Sequence, residues 1–389
     1  MMPLPPWPVY APDEVEAAAD VLRSGRVNQW TGPDVAAFEE ASRRALGVEH
    51  ALAISNGTVA LELALAAFGI GSGDEVVVPA RTFIATAAAV ALRGATPVVA
   101  DVDADGGGLS PEGAAAALSP RTRAILPVHL GGWPCDMPAL HDLADDKGLL
   151  LLEDCAQAHG AAVAGRAVGT WGEGAAWSFC QDKIVSTGGE GGMVTTGDEA
   201  VAARLWSLRD HGKDRAEVER QDHPPGFRWL HAAFGTNARL TGPQAAIGVV
   251  QMGKLHAWVE ARRGNAARLR RRLAEVPGLR VPVPGNDVRE APYRVYAYAE
   301  PDRWRDGWDH TRLVGELGRR GVPGGVGSCG EIYRERAFRD AGLGLGGRLP
   351  VAARLAESSL AFLVHPGIRE EHIDAMAEEV EAAMREATA

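Results

Sequence analysis

Short apolar runs alternate with helical patterns from about residue 50 to residue 197. Residues 51–54 read as a strand that ends at Ser55-Asn56-Gly57-Thr58, and residues 59–68 follow with helical periodicity. The strand signal returns at 75–79, 97–101, 124–127 and 149–153. Helical stretches near 84–93, 111–118 and 137–147 separate these runs. Such alternation predicts βαβ units and a mainly parallel sheet. The unbroken run Leu149-Leu150-Leu151-Leu152 suits a central strand covered on both faces. Residues 175–180 and 193–196 predict two more strands, around the glycine-rich segment Gly188-Gly189-Glu190-Gly191-Gly192.

The pattern changes after about residue 240. A long helix bearing many arginines is predicted over 243–275, with a turn at Pro277-Gly278. A strand over 293–299, a helix over 310–320 and a loop over 324–329 come next. A final amphipathic helix over 370–385 sets Ile373, Met376, Ala377, Val380 and Met384 on one face. The reading is an α/β chain with two parts: a large α/β domain over 1–245, including an N-terminal arm over 1–30, and a smaller α+β domain over 246–389. The arginines at 262, 263, 268, 270, 271 and 272 are expected to form a solvated stripe on the long helix.

Composition narrows the function classes. The 389 residues carry 40 Lys and Arg against 51 Asp and Glu, a net charge of −11. Such a chain has no general attraction to phosphate backbones, so nucleic acid is not an expected partner. Cys135, Cys155, Cys180 and Cys329 form no CxxC pair and read as free thiols, with no metal site implied. The N-terminus has neither the basic nor the apolar region of a signal peptide, and no apolar run approaches the roughly 20 residues of a membrane span. A soluble, cytoplasmic protein is expected.

In an open parallel sheet, ligands bind beyond the carboxyl ends of the strands. Asn56-Gly57-Thr58 lies at a strand-to-helix turn. It is either a plain helix cap or a phosphate cradle built from free N–H groups, with Gly57 permitting close approach and Thr58 adding a hydroxyl. It matches neither a Walker A loop nor GxGxxG. Glu153-Asp154 ends the most apolar strand. It is either a solvated strand end or an anion for a cationic cofactor nitrogen or a metal, and Gln157 and His159 follow within a turn. Lys183 lies past another apolar strand, beside the glycine run. It is either a surface lysine or an amine able to form a Schiff base. Phe83 is either core or a ring face for a flat cofactor. Together these are the parts that pyridoxal phosphate needs. His129 reads as a packed histidine, and no HExxH or GxSxG is present.

These residues carry a resemblance. Over about residues 27–368 the chain resembles the DegT-type sugar aminotransferases, fold-type I pyridoxal-phosphate enzymes that aminate keto sugars on nucleotide carriers. The matching segments are Trp30-Thr31-Gly32, Ser55-Asn56-Gly57-Thr58, Thr82-Phe83-Ile84-Ala85-Thr86, Pro127-Val128-His129-Leu130 and the stretch from Glu153 to Gly160. Ser178-Phe179 with Lys183, Gly189-Glu190-Gly191-Gly192, and Asn237 with Arg239 complete the set. The glycine run departs from the family pattern by one added residue, Gly188.

The resemblance implies that Lys183 holds pyridoxal 5'-phosphate covalently and that Asp154 pairs with its pyridine nitrogen. Gln157 contacts the ring hydroxyl, Gly57, Thr58 and Ser178 bind the phosphate, and Phe83 covers the ring. Asn237 reaches the phosphate in a neighbouring subunit, since the family works as homodimers with shared sites. The implied reaction moves an amino group from an amino acid, glutamate first among donors, to a keto sugar nucleotide. Alternatives are an aminotransferase or dehydratase acting on a non-nucleotide cyclic ketone, and a non-catalytic sensor on the same fold. Dehydratase relatives carry histidine in place of the lysine, and Lys183 argues against that reading.

Overall fold

A computed structural model describes residues 3–223 and 225–388. Its large sheet takes strands β1 (His50–Ile54), β2 (Glu75–Pro79), β3 (Thr96–Ala100), β4 (Thr122–Ile125) and β5 (Leu150–Asp154). The two-residue strands β6 (Ala162–Val163) and β7 (Arg166–Ala167) lie outside it, and β8 (Gly174–Ser178) and β9 (Gly192–Thr196) complete it. The order is β1-β9-β8-β5-β4-β2-β3, and only β9 runs against the others. Every strand read from the pattern in this region is present, within about two residues at each end.

Strand alternation explains the apolar runs. Leu151 packs on one face with Val77, Ile125 and Leu140, whereas Leu152 packs on the other with Ile54, Val78 and Leu126. Both faces are therefore buried, and no polar alternation is tolerated at these positions. Helices α1 (Pro12–Ser24) and α2 (Asp34–Leu46), which the pattern reading did not predict, precede the sheet. Helices α3 (Gly57–Ala67), α4 (Ala85–Leu92), α5 (Pro111–Ala117) and α6 (Met137–Lys147) connect its strands, and α7 (Glu199–Leu208) and α8 (Arg215–Glu219) follow it.

Helix α9 (Gly242–Leu273) spans 32 residues, about 48 Å at 1.5 Å per residue. It crosses residue 245, where the sequence reading divides the chain. Its first half packs Met252, Leu255 and Val259 against Trp177 and Phe179 under the large sheet. Its second half sends Ala266, Leu269 and Leu273 into a separate core with Val295 and Phe362. Gly248 is required by close approach: a Cβ there would lie 2.5 Å from the Phe38 ring on α2.

A second sheet has the order β10-β12-β14-β13, from β10 (Leu279–Arg280), β12 (Arg294–Ala299), β13 (Gly324–Gly325) and β14 (Ser359–Leu363). Strand β11 (Val288–Arg289) pairs instead with β6. Helices α10 (His310–Arg319), α11 (Arg336–Asp340), α12 (Pro350–Ala356) and α13 (Glu370–Ala387) surround this part.

Two expectations are corrected here. The segment 324–329 is not loop throughout, because Gly324 and Gly325 pair with Phe362 and Ala361. The arginines of α9 are not one solvated stripe either. Arg262 is 1% exposed, with its guanidinium over Trp7, and Arg270 is buried in an ion pair with Glu290. These two side chains, eight residues apart, are buried, whereas Arg263, Arg268, Arg271 and Arg272 are partly or fully exposed.

Candidate active site

The carboxyl ends of β5 and β8 and the start of α3 meet at one place. Adjacent carboxylates at the end of β5 point to opposite sides. Glu153 is fully buried and accepts from the N–H groups of Gly169, Trp171 and Gly172 at 2.7, 2.8 and 3.1 Å. His129 Nε2 adds a fourth contact at 3.1 Å. His129 Nδ1 accepts from the Cys135 N–H, which leaves the ring hydrogen on Nε2. His129 is therefore packed and satisfied, as expected, and Glu153 ties the 169–172 turn to the sheet.

Asp154 is 4% exposed and, among the described residues, takes two donors. Thr86 Oγ1 donates to Oδ2 at 2.9 Å, and the Ala156 N–H donates to Oδ1 at 3.1 Å. Thr82 Oγ1 stands 3.0 Å from Thr86 Oγ1, one helical turn earlier. Burial raises the Asp154 pKa, while these hydrogen bonds and the Lys183 charge act the other way. A buried carboxylate that keeps lone pairs free is ready for a cationic or N–H partner. Gln157 lies on the next turn, its Oε1 accepting from the Gly131 N–H at 2.7 Å.

Asn56 caps α3, its side chain accepting from the Val59 N–H at 2.9 Å. That leaves the first N–H groups of the helix, at Gly57 and Thr58, aimed outward. Gly57 sits against Ser178 at the end of β8, so that a Cβ on Gly57 would lie 2.7 Å from the Ser178 Cβ. The cap and the phosphate cradle are thus compatible readings of one turn.

Lys183 occupies the β8–β9 connection, with its side chain 16% exposed. Its Nζ lies 3.3 Å from Asp182 Oδ1 and 4.8 Å from the Tyr293 ring centroid. Tyr293 Oη donates to Asp182 Oδ2. Burial pushes the Lys183 pKa down, but Tyr293 and Asp182 outweigh it and raise it overall. From behind, Trp7 Nε1 donates to the Lys183 carbonyl at 2.9 Å. Gly188, the added glycine, takes φ 80° and so lets the connection turn back toward β9.

Phe83 is 64% exposed and lies just before α4, so its ring is not core. Asn237 is exposed and bridged to Asp210. Its side chain makes no hydrogen bond within the chain among the described residues, although the next residue, Ala238, accepts from the Ser55 N–H at 2.8 Å. The geometry joins Gly57 to Ser178 directly, and the Lys183 charge reaches Asp154. Sequence reading assigned no part to Thr86, Asp182, Tyr293 or Trp7. Thr86 alone had a visible signal, its i,i+4 spacing from Thr82. No helix among the described residues is long and apolar enough to cross a membrane.

A mainly parallel sheet with a lysine beyond one strand end and a buried aspartate beyond the next is the frame of fold-type I aminotransferases. The chain belongs to the DegT/DnrJ/EryC1/StrS aminotransferase family, whose model matches residues 9–381. It is 42% identical over 276 residues to the dTDP-3-amino-3,4,6-trideoxy-alpha-D-glucose transaminase of Streptomyces venezuelae, covering 71% of this chain and 69% of that one. Its fold superposes on the aminotransferase from Psychrobacter cryohalolentis with a TM-score of 0.95 and 44% identity, covering 99% of this chain and 100% of that one. S. venezuelae DesV, solved in complex with a ketimine intermediate, gives a TM-score of 0.85 and 36% identity over 95% of this chain and 94% of that one.

Proposed function

We propose that this aminotransferase uses pyridoxal 5'-phosphate to move an amino group from glutamate to a keto sugar carried on a nucleotide. The observation that carries the proposal is the placement of Lys183 and the under-bonded, buried Asp154 at neighbouring strand ends. The residues fit the cofactor. Gly57 leaves beside Ser178 a cradle that a Cβ would fill, and Asp154 has room for one more donor. When bound, pyridoxal phosphate supplies a carbonyl that exchanges with amines and a ring that accepts electrons.

The chain's own groups do the rest. Gly57, Thr58 and Ser178 hold the phosphate at the positive end of α3. Asp154 holds a proton on the pyridine nitrogen, Gln157 meets the ring hydroxyl, and Phe83 covers a face. The Lys183 amine, positioned by Asp182 and by the Trp7 bond to its carbonyl, would carry the proton between the amine-bearing carbon of the substrate and the C4′ carbon of the cofactor. Asn237, exposed and with no side-chain hydrogen bond among the described residues of its own chain, would serve the partner's phosphate site in a homodimer. Residues 1–245 form the cofactor-holding part and residues 246–389 the smaller one, in a cytoplasmic enzyme.

The nucleotide-sugar assignment is supported by the S. venezuelae transaminase, which is named for a dTDP sugar. A screen of keto sugar nucleotides with glutamate, read by mass spectrometry for the amine product, tests it. We expect amination of at least one keto sugar nucleotide and none with Lys183→Ala. Amination of free cyclic ketones alone would refute the nucleotide-sugar reading.

A further inference from the structure

Helix α9 holds one buried cation that pairs with no carboxylate among the described residues. Arg262 is 1% exposed. Its Nη1 donates to the Pro292 carbonyl at 3.3 Å, whereas Nε and Nη2 have no hydrogen-bond partner among those residues. Burial pulls its pKa down to about 9, with the Tyr293 hydroxyl opposing the fall and the Arg294 charge adding to it. A cation in that condition is costly, and apolar replacement of buried ionic groups is often neutral or stabilising. Stability alone does not call for an arginine here.

The two contacts of Arg262 lead to one residue. Its guanidinium lies 4.9 Å from the Trp7 ring centroid. His365 stacks on the same ring at 5.5 Å, and Trp258 meets it edge-on at 5.2 Å. Seated in this way, Trp7 Nε1 donates to the Lys183 carbonyl at 2.9 Å, and no other donor reaches that carbonyl among the described residues. The second contact, Pro292, directly precedes Tyr293. The Tyr293 ring centroid lies 4.8 Å from Lys183 Nζ, and its hydroxyl donates to Asp182, which pairs with the same amine. One guanidinium therefore bears on the Lys183 backbone through Trp7 and on its amine through Tyr293.

We propose that Arg262 is a positioning residue for Lys183, acting through Trp7 on its carbonyl and through Pro292 and Tyr293 on its amine. The inference rests on the reading of Lys183 as the reacting amine. A lysine side chain is a long, flexible stem, so its amine keeps a set place only when both the backbone and the head are held. Proton transfer needs that precision, since a misplacement of about 1 Å can cost about a hundredfold in rate. A guanidinium can lie on a ring face and donate to a carbonyl at once. Methionine fills much of the same space but cannot donate to Pro292, so it separates packing from positioning.

Arg262→Met, Trp7→Phe and the double variant are compared with wild type. Urea unfolding reads stability, and the holoenzyme half-reaction with L-glutamate, followed by cofactor absorbance, reads the limiting rate. In cofactor-free protein, competitive acetylation with acetic anhydride and peptide mapping reads the Lys183 amine itself, against the exposed Lys147 as reference. We expect Arg262→Met to leave the unfolding midpoint unchanged or higher. Its limiting rate should nevertheless fall about ten- to a hundredfold, with less than about threefold change in half-saturating glutamate. Acetylation of Lys183 relative to Lys147 should rise severalfold. Trp7→Phe keeps a ring over Arg262 but loses the N–H, so it should move rate and labelling the same way by a smaller factor. The double variant should be slowed by less than the product of the single factors, because both act along one path. Wild-type rate and labelling in either single variant would overturn the inference, as would factors that multiply fully in the double variant. A lower unfolding midpoint with unchanged Lys183 labelling would make Arg262 a structural residue and also overturn it. Pyridoxal phosphate should protect Lys183 alone from acetylation in wild type. Protection of a different lysine would refute the reading of Lys183, and the inference with it, whatever Arg262→Met shows.

Discussion

Gly57→Ala sets two effects of opposite sign against each other. Alanine favours the first turn of α3 by up to about 1 kcal/mol over glycine. Its Cβ, however, would stand 2.7 Å from the Ser178 Cβ, 3.0 Å from Oγ and 3.3 Å from Cα. Carbon atoms in ordinary contact keep about 3.5–4.0 Å. Neither side gives easily, because Ser178 ends a strand whose five residues are all buried and Gly57 follows the Asn56 cap. Overpacking of this kind costs about 1–3 kcal/mol, so the net loss of stability should be about 0–2 kcal/mol. The relief must come from spreading α3 and β8, which moves the Gly57 N–H and the Ser178 hydroxyl apart. Losing one charge-assisted hydrogen bond, about 1.5–3 kcal/mol, weakens phosphate binding about ten- to a hundredfold. Titration of cofactor-free protein with pyridoxal phosphate and with pyridoxal, by fluorescence, separates this from general damage. Pyridoxal phosphate should weaken by that factor and pyridoxal by much less. Equal weakening of both, or an unchanged affinity for pyridoxal phosphate, would refute the cradle.

Three further outcomes are expected. Asp154→Asn keeps cofactor binding through the phosphate but slows both half-reactions by about 10²- to 10⁴-fold, a few kcal/mol of lost electrostatic stabilisation, and stopped-flow absorbance measures it. His159 is buried between Trp177 and Phe179, and burial, with the Lys183 and Arg262 charges, lowers its pKa to about 3. The unfolded chain therefore binds a proton there between pH 6.5 and 3 that the native one does not, and stability falls with pH in that window. His159→Phe should remove about 2–3 kcal/mol of the loss between pH 7 and 4.5 in urea unfolding, and an unaltered pH slope would oppose it. Mixing Lys183→Ala and Asn237→Ala homodimers under verified subunit exchange should restore activity above the sum of the parents, whereas a clear Asn237→Ala defect without recovery would rule out a shared site.

The sheet was legible because strand burial wrote itself into composition. Runs such as residues 149–152 are apolar at every position since both faces are covered, and a period of two is absent for the same reason. α1 escaped that reading because it is amphipathic and lies outside the βαβ rhythm, with only Glu14 and Val21 buried. The arginine stripe misled for a related reason. Residue type signals solvent, but Arg262 and Arg270 spend their stems on core packing and their charge on Trp7 and on Glu290. Lys183, Asp154, Gly57 and Ser178 could be named from local spacing and family pattern. Tyr293 could not, because it lies just before β12, more than a hundred residues away, and only tertiary packing brings it to Lys183.

Glu153 and Asp154 show how one dipeptide divides between architecture and chemistry. Consecutive strand residues face opposite sides, so the two carboxylates cannot share a partner. On one side Glu153 meets three backbone N–H groups and His129, and its oxygens are filled. A carboxylate so satisfied is stable when buried but has nothing to offer a ligand. On the other side Asp154 receives only Thr86 and its own turn, at the mouth where Lys183 lies. Burial then makes its charge costly until a further donor arrives, and that cost becomes selectivity for a cationic or N–H group. The saturated glutamate fixes the strand end, and the unsaturated aspartate next to it can therefore be held in place without being neutralised by its own protein.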